Sequence, residues 1–382
     1  MPAAMTSRER LVALLSGRPT DRIGLHVMGV RPWTDWWMAG RHSSYAPVIR
    51  AVAEKADLPA AIGVETGFFD SAAEVDLATS VEPVSGHPRV EHRVTRLRTD
   101  GGELRQVYAV DKANPLPMPV EHFIKDPADV DRFLALPYLP PRPNLEPIAE
   151  LDRRIGDRGI VMVSLGSDPV GQVHQLLGSE LMAIWACEHR DLIHRLLGEM
   201  LRRKLDVVAV LAASGLARRM PLCFMHVGAE AAVPPLHGPR DFRDFVTRYD
   251  APLHEAIHAM GGFVRVHCHG SVGKVLNDFV TMGVDMLHPV EAPPMGDVTL
   301  PQAKRLAAGR MTVEGNIQIA NVYEDPPDAF AALVERTIAE GKPGGRFCLT
   351  PTASPYTVEL SQRAVANYLA MIDLAGDLGR YD

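Results

Sequence analysis

From residue 159 onward, short apolar runs alternate with helical patterns, and glycines stand at the joints. Residues 159–165, 221–227, 263–268, 284–287, 311–314 and 346–349 read as strands. Helical patterns fill the intervals at 171–184, 191–211, 239–260, 272–282, 300–308 and 327–340, with a last one at 356–374. Gly261-Gly262, Gly283, Gly309 and Gly341 sit where helix C-caps belong. Strand–helix–strand repeats with such short connections demand a parallel sheet and crossover helices. With residues 23–28 and further strands from the N-terminal half, the count reaches about eight. That predicts an α/β fold, a single (β/α)₈ barrel spanning residues 1–382, rather than an open sheet.

Two additions precede the regular part. Thr6 and Glu9 have capping-box spacing ahead of a helix that ends at Gly17. Residues 88–110 read as an inserted β-hairpin turning at Thr99-Asp100-Gly101-Gly102, and the proline-rich stretch 111–146 reads as a surface loop layer. The chain carries 40 basic and 47 acidic residues, a net charge of −7, with no basic run. Nucleic acid and membrane surfaces are therefore not expected partners. Four cysteines without CxxC spacing, no signal-peptide pattern and no membrane-length apolar run point to the cytoplasm.

In a barrel of this kind, chemistry sits where strands end. The expected ends carry His26; Ser164, Ser167 and Asp168; His226 and Glu230; His267 and His269; His288 and Glu291; Glu314 and Asn316; and Thr350 with Thr352. His267 and His269 are two residues apart, so on a strand they face one side, and Cys268 faces the other. Glu291 closes the next apolar run. Two imidazoles and a carboxylate on neighbouring strands form a ligand set that suits Zn²⁺ and leaves a position open. Glu230, His226 and His288 are the expected proton-handling residues. Arg31, Trp33, Trp36, Glu314 and Asn316 are expected to bind substrate, with the tryptophan cluster acting as a barrel plug or a lid.

The runs from Thr6 to Arg22 (TSRERLVALLSGRPTDR), Leu236 to Phe242 (LHGPRDF), Val313 to Asn316 (VEGN) and Gly344 to Leu349 (GGRFCL) belong together. Taken as a set, they resemble the uroporphyrinogen decarboxylase superfamily. The resemblance spans nearly the whole chain and implies a (β/α)₈ barrel, with a homodimer compatible. Its decarboxylases are metal-free and hold substrate carboxylates with an Arg-Gln-Ala-Gly-Arg motif, of which Ala39-Gly40-Arg41 echoes only the end. Its other branch comprises zinc-dependent methyltransferases that act with corrinoid proteins and use a His-x-Cys pair and a late Cys. Here His267-x-His269 stands in place of that pair, and Glu291 has the carboxylate spacing of a related barrel, cobalamin-independent methionine synthase. Thr352 or Ala353 occupies the late position, and Cys348 lies inside the strand. A His₂Glu zinc is a harder Lewis acid than a thiolate-rich one, which favours an oxygen-bearing substrate.

The expectation is a zinc-dependent methyltransferase that moves a methyl group between a small molecule and a separate corrinoid protein. His267, His269 and Glu291 would hold the metal. The alternatives are a metal-free decarboxylase of a carboxylated tetrapyrrole and a non-catalytic binder of a corrinoid or tetrapyrrole.

Overall fold

A capping box starts the first helix, Ser7–Ser16. The Thr6 hydroxyl accepts from the Glu9 N–H at 3.2 Å, and the Glu9 carboxylate accepts from the Thr6 N–H at 2.8 Å. Gly17 closes the helix in the left-handed region, with φ 72°. The computed structural model describes residues 4–64, 75–112 and 114–381.

Eight strands form one parallel sheet: β1 (Gly24–Leu25), β2 (Leu58–Gly63), β7 (Gly159–Ser167), β8 (Leu222–Val227), β9 (Phe263–His267), β10 (Met286–His288), β11 (Thr312–Ile317) and β12 (Phe347–Pro351). Their order is β1-β12-β11-β10-β9-β8-β7-β2, so the last strand pairs with the first and every other neighbour in the sheet is the next barrel-type strand in the chain. The two end strands, β1 and β2, are tied by Asp57. Its N–H donates to the Leu25 carbonyl at 2.8 Å and its carboxylate accepts from the Leu25 N–H at 3.0 Å. Arg10 and Arg22 pair with the same carboxylate at 2.6 and 3.1 Å. The result is a barrel-like sheet with helices outside it. Among the described residues, no helix is long and apolar enough to cross a membrane.

Between β2 and β7 lies a second, antiparallel sheet in the order β3-β4-β5-β6: β3 (Asp76–Pro83), β4 (Val90–Thr99), β5 (Gly102–Asp111) and β6 (Asn114–Glu121). The hairpin turn falls between Thr99 and Gly102, which pair. The stretch expected to be a loop layer instead supplies β6 and the helix Pro127–Leu134. Proline, which lacks an N–H, is tolerated in β6 because β6 is an edge strand. Proline also suits the first turn of the helix that Asp126 caps. Two helices are shorter than their sequence pattern. Leu276–Thr281 replaces 272–282, and the last helix, Gln362–Leu378, starts where the Ser361 hydroxyl accepts from the Ala364 N–H.

Strand parity sorts the side chains. Ile160, Met162, Cys223, Met286 and Cys348 pack inside with Leu11, Leu14 and Leu15 of the first helix. Val264, Val266, Cys268, Leu287, Val313 and Leu349 join the larger core between sheet and helices. On β9 this places Arg265 and His267 on the inner side.

Candidate active site

β9 and β10 are neighbours, with His267 opposite His288. Their rings stack at 4.9 Å, and the two Nδ1 atoms lie 2.8 Å apart. His288 Nε2 lies 3.1 Å from the Pro351 carbonyl, which can only accept, so Nε2 carries the proton. Burial, with help from Arg265 and His267, holds His288 neutral, well below the ordinary histidine range. Its Nδ1 is then a lone pair, and His267 Nδ1 must donate to it. His267 is itself pushed down to about 3 by burial, by the Arg265 guanidinium and by His269. A neutral His267 with a proton on Nδ1 has its lone pair on Nε2. The chain Pro351 carbonyl–His288–His267 thus fixes the tautomer that leaves the His267 Nε2 lone pair available, as outer hydrogen bonds do for histidines that bind metals.

His269 lies just past β9, with its ring edge-on to His267 at 4.6 Å. Its Nδ1 is 3.2 Å from Glu291 Oε2, and the Gly270 N–H donates to the same oxygen at 2.9 Å. Burial alone would raise Glu291, but His269, the Gly270 N–H and the nearby Gln318 amide hold it below the usual glutamate range. Glu291 in turn raises His269, against a smaller opposing effect of burial. Each partner therefore favours the charged form of the other. The pair's contribution is lost as pH falls through the lowered Glu291 value and as it rises through the raised His269 value. In chelator-treated protein, NMR titration of the His269 ring should give a value above that of a free histidine. Glu291→Gln should bring it down, and an unchanged value would show that the pair does not form in solution.

These three residues meet the chemical demands of a zinc site in part. His267 presents a fixed lone pair, Glu291 is held ionised, and one imidazole–carboxylate edge is 3.2 Å long. The three donor atoms do not gather within 4.8 Å of one another as they stand. His269, with its side chain 40% exposed, is the one free to turn.

The other expected site residues are distributed as follows. Glu314 is 1% exposed and both its oxygens are taken, by His26 Nδ1 at 2.7 Å and Arg265 Nε at 2.5 Å. It anchors the interior rather than facing a substrate. Arg265, which sequence reasoning missed, carries its signal in the alternation Arg265-x-His267-x-His269. Asn316, opposite Thr350, is half-buried. Glu230 is exposed after β8, accepts from the Gly228 N–H at 3.0 Å, and its charge reaches His269. His226 faces the helix layer, fully buried, with Nε2 2.7 Å from His254 Nε2, so it does not join the mouth. Cys348 lies among the apolar interior side chains near Leu14, its thiol raised by burial. Trp33 and Trp37 are buried while Trp36 is 71% exposed. The cluster thus serves as packing through two rings and offers one outward. Arg31 is lowered by burial and by Arg41, whose guanidinium sits 4.6 Å over the Trp37 ring.

No family model and no curated protein sequence matches the chain. Among solved structures, a methyltransferase from Methanosarcina mazei aligns over 98% of this chain and 99% of its own, with TM-score 0.59 and 16% identity. A muconate lactonizing enzyme from Pseudomonas putida covers 80% of this chain and 78% of its own at 13% identity, but its TM-score of 0.26 is too low to carry an argument. The chain is therefore similar in fold, from end to end, to a known methyltransferase.

Proposed function

We propose that the chain is a methyltransferase of the uroporphyrinogen decarboxylase superfamily. In this reading its eight strands close as a (β/α)₈ barrel, and zinc sits among His267, His269 and Glu291 at the strand ends. The observation that carries the reading is the fixed lone pair on His267 beside the His269–Glu291 pair. The full-length likeness to a methyltransferase fold supports it. Bound there, zinc would supply Lewis acidity toward a heteroatom of the substrate.

The chain's own residues do the rest. His288 holds the orientation and tautomer of His267. Gly270 and His269 keep Glu291 anionic. Glu230, exposed near His269, takes the proton that an acceptor X–H loses as X–CH₃ forms. The electron pair of the breaking bond stays with the methyl donor, a corrinoid held by a separate protein. Trp36, whose ring is exposed, and Arg31 are assigned to substrate binding in this reading.

Zinc-loaded protein incubated with methylcobalamin and a panel of alcohols and thiols should demethylate the corrinoid and yield a methylated acceptor. Glu230→Gln should slow turnover by about 10²–10⁴-fold, the range of a lost general base. Absence of corrinoid demethylation with every acceptor would sink the reading.

One observation favours a second reading. Arg31, lowered first by burial, also feels the charge of Arg41, and two neighbouring guanidinium groups suit a carboxylated substrate. A metal-free decarboxylase would release carbon dioxide from such a substrate without any added corrinoid.

A further inference from the structure

A second polar cluster lies behind the sheet, outside the site described above. His226 leaves the outer side of β8. Asp250 and His254 are four residues apart on the helix Arg248–Ala259, hence on one face of it. One donor atom from each of the three lies within 4.8 Å of the others. All three residues are fully buried.

The hydrogen bonding in this cluster is incomplete in a specific way. His254 Nδ1 donates to the Met282 carbonyl at 2.8 Å, which leaves the His254 Nε2 lone pair aimed at His226. His226 Nε2 must then donate across 2.7 Å, and its Nδ1 is left as a lone pair without a partner. That nitrogen lies 4.0 Å from Asp168 Oδ2, which also has no hydrogen bond. Neither oxygen of Asp250 has one either. Asp168 is fixed in place, since its Oδ1 accepts from the Gly171 N–H at 2.6 Å. Gly228, at φ 127°, packs so closely that a Cβ there would lie 2.4 Å from that oxygen. Four unsatisfied buried polar atoms on three residues of one cluster are costly, at about 1–3 kcal/mol each.

We propose that His226, His254 and Asp250 hold a buried structural divalent metal, with zinc the ion best suited to two imidazoles and a carboxylate. Both Asp250 oxygens are unbonded, so three residues can offer four donors. The proton on His226 Nε2 moves to Nδ1 and is presented to Asp168, and the Asp250 carboxyl, which burial pushes up to about 8, gives up its proton as the ion binds. The two Nε2 atoms widen by about half an ångström to share one ion at about 2.0–2.1 Å each. The Met282 carbonyl and Asp168 then stand behind the two imidazoles as orienting acceptors. Lys204, whose ammonium donates to the Leu165 carbonyl, places its charge near Asp168 and Asp250. The competing arrangement is therefore a metal-free internal ion pair.

The test uses the full chain carrying His267→Ala and His269→Ala, so that any metal found is not the one proposed at the strand ends. Metal analysis should give one equivalent of zinc, and Asp250→Asn in the same background should reduce it at least 10-fold. Chelator should lower the unfolding temperature of the Asp250-containing protein and leave the Asn variant unmoved. If the Asn variant does not fold, cobalt substitution of the His267→Ala/His269→Ala protein reads the same site through a four-coordinate cobalt absorption band. A folded, metal-free protein that gains neither stability with zinc nor that band would overturn the proposal. It would leave the reading of the strand-end site untouched.

Discussion

Glu314→Gln should cost about 3–5 kcal/mol of stability, the penalty for removing one partner of a buried ion pair. Glu314 lies inside the barrel-like sheet at 1% exposure, and Arg265, at 2%, is bound to it through Nε. Among the described residues, Arg265 makes one other side-chain hydrogen bond, from Nη1 to the Met225 sulfur at 3.1 Å, and its buried Nη2 has none. Glutamine keeps the shape but leaves a guanidinium charge in a site closed to water. Burial would raise Glu314, yet the Arg265 guanidinium and the His26 hydrogen bond hold it well below the ordinary glutamate range. A lowered carboxylate value stabilises above the unfolded value and loses that contribution as pH falls through the folded one, so the variant should also show a flatter acid limb. Urea unfolding should shift its midpoint with little change in slope. Replacing both partners, Glu314→Leu with Arg265→Met, should cost less than Glu314→Gln alone, because no lone buried charge remains. A single-variant loss below about 1 kcal/mol would mean that the pair is reached by water.

The second large effect concerns the imidazole chain. His267→Ala removes the donor whose lone pair the Pro351 carbonyl and His288 fix, and methyl transfer should be abolished together with tight zinc binding at the strand ends. His288→Ala leaves that donor in place but frees its tautomer and orientation. It should weaken zinc by about 10–100-fold, the usual cost of losing an orienting partner. Added zinc should restore turnover to His288→Ala and not to His267→Ala. Equal behaviour of the two variants would contradict the relay. Both need a stability check, since His288 is fully buried.

Much of this was legible in the sequence because it depends on period and spacing. Alternation at Val266-His267-Cys268 was sufficient to put Cys268 among the helices. The βα rhythm gave the neighbouring strands that bring Glu291 beside Gly270. The Thr6–Glu9 spacing gave the first cap. Other features depend on which face a strand end presents, and there proximity to an end was a poor guide. His226 shares its side of β8 with Leu222 and Phe224, and so points to the helices. Glu314 lies inside β11, which runs on to Ile317, and its inner neighbours capture both oxygens. Asp250 and His254 carry helical spacing that is ordinary on its own, and only the fold sets them against His226. Arg265 was readable from parity with His267, but a lone arginine in an apolar run gives no hint of its partner 49 residues on. The proline-rich stretch misled because an edge strand tolerates residues that an inner strand cannot.

The most direct test of the strand-end site is a crystal structure of zinc-incubated protein with anomalous data collected on both sides of the zinc edge. The account expects a peak within about 2.0–2.2 Å of His267 Nε2, an imidazole nitrogen of His269 and a Glu291 oxygen, with His269 turned inward from its present place. A map with no anomalous peak among these three side chains, in protein that transfers methyl groups, would contradict it.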